Sequence, residues 1–202
     1  MKYPASIKNL IEQFSKLPTV GPKTAERYVF YLLKQSPERL KMFGHYLSEL
    51  KNNITVCSSC QRISESDPCE ICSDKKRDEA LICIVANLQD LISMENTNQF
   101  NGQYFVLGGL INAIDGIKPE DLNIRKLAEK INALLKVKNN IEIILALSPT
   151  MEGESTAMYL SKLLKNPKIK ISRLARGLPM GANLEYVDEM TLGNALKYRN
   201  II

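Results

Sequence analysis

Two Cys-x-x-Cys pairs, Cys57-Ser-Ser-Cys60 and Cys69-Glu-Ile-Cys72, stand eight residues apart in a 202-residue chain with one further cysteine, Cys83. Thiols at this spacing serve either disulfides or a thiolate-bound metal, and the compartment decides between them. The amino terminus, MKYPASIKNLIEQF, has neither the apolar core nor the small-residue cleavage site of a secretory signal. No run approaches the roughly 18 apolar residues of a membrane span. The expected location is therefore the cytoplasm, where thiols stay reduced. Cys57, Cys60, Cys69 and Cys72 then fit one tetrahedral Zn2+, each pair aiming two sulfurs at the ion. Iron would also accept four thiolates; zinc is the expected ion. With every position filled by sulfur, the site has a structural role, holding together a segment too short to build its own core. Cys83, inside the apolar run LICIV, reads as a small core residue.

The elements around this segment differ in charge. Residues 1 to 51 hold nine Lys and Arg against four Glu, and the remaining residues hold eighteen charges of each sign, so the net +5 is all amino-terminal. A basic module on a neutral body points to a polyanion at that end. There, Ile7, Leu10, Ile11 and Phe14 form one apolar helical face, Pro18, Gly21 and Pro22 interrupt it, and the pattern resumes through Ala25, Tyr28, Val29, Leu32 and Leu33. Two helices joined by a tight turn are expected. Gly21 lets the turn approach another chain closely, and the following helix offers free N–H groups to a phosphate. Lys23 lies on its first turn, with Arg27 four residues later on the same face. The stretch LPTVGPKTAER resembles the helix-hairpin-helix motif, which grips DNA phosphates without reading bases. His45 has no partner cysteine or carboxylate nearby in sequence and reads as a surface or packed residue.

From residue 80 strands and helices alternate: ALICIVAN, GQYFVLGG, IEIILALS and KIKISRLA read as strands, and LQDLISMENTNQF, NIRKLAEKINALLKVK and ESTAMYLSKLLK as helices. Alternation implies an α/β fold, a mostly parallel sheet flanked by helices. Function in such sheets gathers at the carboxyl ends of strands, here residues 85–87 and 148–154.

SPTMEGESTA at the second of these ends resembles the acidic motif of Toprim domains, in which one Glu and two Asp hold magnesium. Here the Glu position is Ala86 and the Asp positions are Ser148 and Thr150; Glu152 and Glu154 remain. The scaffold is expected without its catalysis. Helix-hairpin-helix, four-cysteine module, Toprim domain and the ending RLARGLPMGANLEYVDEMTLGNALKYR together resemble the RecR family of bacterial recombination proteins. LGG, DGI, PTMEGE, RGLPMG and LEYVDEMTL fall in the family's order. LINAIDGI departs from it, since relatives usually carry a Ser-Pro there.

The resemblance implies four parts: a helical DNA-binding domain over 1–53, a C4 zinc finger over 54–77, a Toprim domain over 78–175, and a loop and helix over 176–202 that makes subunit contacts. It implies a non-enzymatic homo-oligomeric clamp, a dimer or tetrameric ring. With RecO and RecF the clamp would help load recombinase onto single-stranded DNA covered by single-strand binding protein. Lys23, Arg27 and Gly21 would contact single- or double-stranded DNA. Glu152 and Glu154, kept without a catalytic need, would face RecO; Glu185, Asp188 and Glu189 add a further acidic cluster. Arg176 would contact a neighbouring subunit or hold its own loop. The rival expectation is a magnesium-dependent Toprim enzyme that nicks, joins or primes DNA.

Overall fold

The computed structural model describes residues 3–175, 177, 178 and 180–199. It divides into two compact units, residues 1–54 and 55–202.

The first unit is helical: α1 (Ala5–Ser15), α2 (Pro22–Leu32) and α3 (Pro37–Glu49). Phe14 of α1 packs edge-on against Tyr28 of α2, and Tyr3, ahead of α1, packs edge-on against Phe30. Only Ala25 and Val29 are buried among the described residues of these helices. α3 starts at a Ser36 cap followed by Pro37. It leaves Leu40, Phe43, Leu47 and Leu50 exposed along one face.

The second unit opens with a short antiparallel pair, β1 (Thr55–Val56) and β2 (Ile63–Ser64), and the single turn α4 (Glu70–Ser73). A four-stranded sheet follows, built from β3 (Asp78–Val85), β4 (Gly102–Val106), β5 (Ile141–Ala146) and β6 (Ile169–Arg173). Its order is β4-β3-β5-β6 and all three pairings are parallel. The connections carry α5 (Leu88–Glu95), α6 (Ile124–Leu135) and α7 (Met151–Leu163), and the chain ends in α8 (Glu189–Lys197).

Because side chains alternate across a strand, the sheet's two faces make two cores. Ile82, Ile84, Phe105, Ile141, Ile143 and Leu145 pack with Leu127 and Ile131 of α6 and Leu160 of α7. On the other face Cys83, Val85, Tyr104, Val106 and Ala146 pack with Leu91 of α5 and with Cys57, Cys60, Cys69 and Ile71. Cys83 is therefore a core residue, as its apolar neighbours imply, and burial pushes its thiol up to about 12. The cysteine segment covers one face of the sheet rather than standing apart.

Several elements are shorter than the sequence suggests, among them α5, β4 and β6, while α7 begins three residues earlier than expected, at Met151. α5 ends at Glu95, and the chain reverses through Asn98 in the left-handed region at φ 54°. β4 stops at Val106 because Gly108 and Gly109 take positive φ. The departure LINAIDGI forms a closed turn: Asn112 pairs with Ile117, and its side-chain oxygen accepts the N–H groups of Ile114 and Asp115. An Asx-type turn thus closes this loop.

Candidate metal centre and nucleic-acid interface

Cys57, Cys60, Cys69 and Cys72 converge, with all four Sγ atoms within 4.8 Å of one another. The Sγ atoms of Cys60 and Cys69 are 3.6 Å apart, and none of the five cysteines forms a disulfide. Ligand sulfurs about 2.3 Å from a tetrahedral ion lie about 3.8 Å from each other, so the donor set fits a structural Zn2+. Such an ion would act as a cross-link between two turns of chain, and it leaves no vertex for substrate.

The turns are tied to each other without it. Asp67 Oδ1 accepts the Ser58 N–H at 2.8 Å and the Ser58 hydroxyl at 2.9 Å, and these two bonds hold its carboxyl below the usual range. Arg62 reaches Glu70 at 2.7 Å, and the Cys69 N–H donates to Cys57 Sγ at 3.4 Å. Cys72 is pulled down to about 5 by its hydrogen bond with Cys60, helped by Ser59 and the Lys130 charge. Cys72 therefore sits where a thiolate is favoured, whereas burial pushes Cys69 up to about 11, and the bond to Cys72 together with burial raises Cys60.

In the helical unit Gly21 is the N-cap of α2, Pro22 its first residue, and Lys23 and Arg27 lie exposed one turn apart. A glycine cap has no side chain to accept the first N–H groups of the helix, which point outward with the positive dipole end. Gly21 itself has an ordinary extended conformation, φ −78°, and an added Cβ would meet nothing within 4 Å. The left-handed step of the turn falls instead on Thr19, at φ 65°. His45 lies on α3, its ring tilted against Tyr46.

At the carboxyl end of the sheet a cavity of about 670 Å³ is lined by Asp90, Ala146, Ser148, Arg173, Asp188 and Asn194, among others. Ala86, Ser148 and Thr150, expected at the three Toprim acid positions, lie beside or near this end of the sheet. Ala86 is buried with its carbonyl accepting the Gly108 N–H, and Thr150 caps α7 by accepting the Gly153 N–H at 3.2 Å. Gly153 lets α7 start against the chain before it: a Cβ there would lie 1.9 Å from the Ser148 carbonyl oxygen. Glu152 and Glu154 stand on that first turn, where the helix dipole favours carboxylates. Backbone N–H and Thr150 hold the Glu152 carboxyl low, and Glu154 pairs with Arg173 of β6. Among the described residues the four cysteines are the sole cluster of three or more metal-ligating side chains. Asp188 serves as the cap of α8, accepting the Thr191 N–H and hydroxyl. Arg176 lies outside the described residues.

The sequence did not single out Lys126, Lys130 and Gln61, which join α6 to the first cysteine turn. Their signal was present only as two lysines at i and i+4 on a helix whose other face is apolar.

Comparison with known proteins gives this geometry a family. A family model described as RecR, helix-hairpin-helix matches residues 7–51, a Toprim domain model matches 80–175, and a model described as RecR, C-terminal matches 177–200. Recombination protein RecR of Staphylococcus aureus is 47% identical over 199 residues, covering 98% of each chain, in strains JH9, N315 and Newman alike. Among the described residues no helix is long and apolar enough to cross a membrane. With its cysteine cluster, parallel sheet and helical amino terminus in the matching order, the chain belongs to the RecR family of recombination proteins.

Proposed function

We propose that this protein is a cytoplasmic DNA-binding clamp of recombination and repair that recruits other proteins and performs no chemistry of its own. In this reading Lys23 and Arg27 hold phosphates of single- or double-stranded DNA, and Gly21 lets the strand approach the start of α2. The observation that carries it is the uncapped amino end of α2 beside two exposed cations. Absence of carboxylates at 86, 148 and 150 supports the non-catalytic part, since two acids cannot rebuild a magnesium cluster.

A homo-oligomer, either a dimer or a tetrameric ring, is supported by the helical unit. Among its described residues it buries two side chains, Ala25 and Val29, and it exposes Leu40, Phe43, Leu47 and Leu50, which a second copy would cover. Repetition of a weak phosphate contact then supplies avidity. Glu152 and Glu154 on the first turn of α7 are the proposed contact for RecO; RecF is the second partner. The joint task is to load recombinase onto single-stranded DNA coated with single-strand binding protein. Four functional modules follow: 1–53 for DNA, 54–77 for the Zn2+, 78–175 for partners, and 176–202 for subunit contacts.

Fluorescence anisotropy of labelled single- and double-stranded DNA tests the reading, with a salt titration, magnesium present, and recovered strands run on a denaturing gel. Losing two phosphate contacts in Lys23→Ala/Arg27→Ala should flatten the log–log salt slope by about 1.4 on single strands and about 1.8 on duplex. Intact strands and a flattened slope are the expected result. An unchanged slope removes the DNA contact from α2. Cut or extended strands would establish the magnesium-dependent enzyme instead.

A further inference from the structure

Three hydrogen-bonding groups of the sheet domain grip the first cysteine turn. Lys130 Nζ donates to the Ser59 carbonyl at 3.0 Å and to the Ser59 hydroxyl at 3.1 Å. Lys126 Nζ donates to Gln61 Oε1 at 2.6 Å. The N–H of Val106, at the end of edge strand β4, donates to the Cys60 carbonyl at 2.8 Å. Ser59, Cys60 and Gln61 are thus each held by a different residue of the scaffold.

Gln61 transmits the Lys126 contact inward. It is buried, and its Nε2 donates to the carbonyls of Cys57 at 3.2 Å and Ser58 at 2.8 Å. Its backbone is left-handed at φ 64°, a conformation that a non-glycine residue adopts at a cost, offset here by the side-chain bonds. The turn between the first two sulfurs is therefore shaped by a carboxamide that α6 holds from outside.

Charge points the same way. Four thiolates on a divalent ion leave two negative charges. Residues 54–73 add Glu65, Asp67 and Glu70 against Arg62 alone, and Arg62 is already paired with Glu70. Lys75, Lys76 and Arg77 follow the last cysteine, with Arg77 paired to Glu95 and Asp74, and further cations come from elsewhere in the fold. Lys126 and Lys130, one helical turn apart on α6, supply them, while Leu127 and Ile131 of the same helix anchor it in the core.

Resting on the metal reading of the four cysteines, we propose that Lys126 and Lys130 are positioning residues of the metal centre: a two-lysine clamp that couples metal occupancy to the stability of the sheet domain. Holding the turn in its ligating shape lowers the ordering that the metal must impose. By linkage the bound metal stabilises the packing of α6 in return.

The test uses the full chain loaded with zinc. Zinc content is measured first, and a wild type purified in zinc that holds none overturns the metal reading and the clamp with it. Zinc release to an excess of chromogenic chelator is then followed for wild type, Lys126→Gln, Lys130→Gln, the double variant, Lys130→Arg, and Arg125→Gln as a control. Arg125 sits on the exposed side of α6, paired with Glu129 at 3.7 Å. The double variant should lose zinc about tenfold to a hundredfold faster than wild type. Each single glutamine variant should fall between, with Lys130→Arg restoring most of the retention and Arg125→Gln matching wild type. The rise in melting temperature on zinc binding should also be smaller in the double variant, a readout that loss of general stability does not move. Zinc bound as in wild type but released at the wild-type rate by the glutamine variants would overturn the clamp and leave the metal reading standing. Should the double variant fail to fold, the single variants and the arginine rescue decide on the same criteria.

Discussion

Gly21→Ser separates what the amino end of α2 needs for folding from what it needs for DNA. The residue is an N-cap with φ −78° and ψ 167°, the extended geometry in which serine caps well. Nothing lies within 4 Å of an added Cβ. Serine's hydroxyl would accept the N–H of Lys23 or Thr24, and its capping advantage over glycine is a few tenths of a kcal/mol. Reduced freedom of the unfolded chain adds about 0.4–1 kcal/mol. Together these give about 0.5–1.5 kcal/mol, or roughly twofold to tenfold slower hydrogen exchange of the α2 amides. The same hydroxyl occupies the N–H groups proposed for a phosphate and blocks the close approach of a strand. Losing one charge-assisted contact weakens binding about tenfold or more, measured by anisotropy at fixed salt. A more stable helix with poorer DNA binding is the expected outcome. Faster exchange would show that the turn needs glycine for its own shape, and unchanged affinity would show that no phosphate sits there.

Gly153→Ala is the internal counterpart. Its Cβ would stand 1.9 Å from the Ser148 oxygen, so α7 must shift and its Thr150 cap loosens. Overpacking of about 1–3 kcal/mol and a lost cap of about 1 kcal/mol predict a loss of roughly 2–4 kcal/mol in urea unfolding. Arg77→Ala should destabilise by about 2 kcal/mol in the same assay, because its guanidinium bonds both Glu95 and the Gly102 carbonyl. The Asp188 carboxyl is held below its ordinary range by the Thr191 hydroxyl and N–H. Its cap on α8 should be fully present above the unfolded value near 4 and fade as pH falls through the lower folded value. Exchange of the 189–197 amides against pH reads this directly; protection that rises on acidification would contradict it.

The sheet was legible because burial on both faces demands continuous apolar strands, and LICIV and IEIILA carry that composition in so few residues. The sulfur cluster was legible from spacing alone, since each pair's geometry is local. What could not be read were contacts whose partners lie far apart in sequence. Lys130 is 71 residues from Ser59, and Glu154 is 19 residues from Arg173 across a helix and a strand. Asp188 looked like part of an acidic patch, yet its oxygens cap a helix, a role that depends on where α8 begins. In the hairpin the sequence drew attention to Gly21, whereas the unusual backbone belongs to Thr19, which carries no glycine signature.

The order of strands also sets an order of events. On the ribosome the helical unit is complete by residue 54, with contacts that are short in sequence and quick to form. The cysteine turns emerge next, well before α6 and before β6 at Ile169–Arg173 closes the sheet. For some 100 residues of synthesis, taking about 5 to 20 s at bacterial rates, the nascent chain carries exposed thiols and an open apolar helix face. The newborn protein is therefore most vulnerable to oxidation and to premature association in that interval, and a supply of metal at the exit tunnel would shorten it.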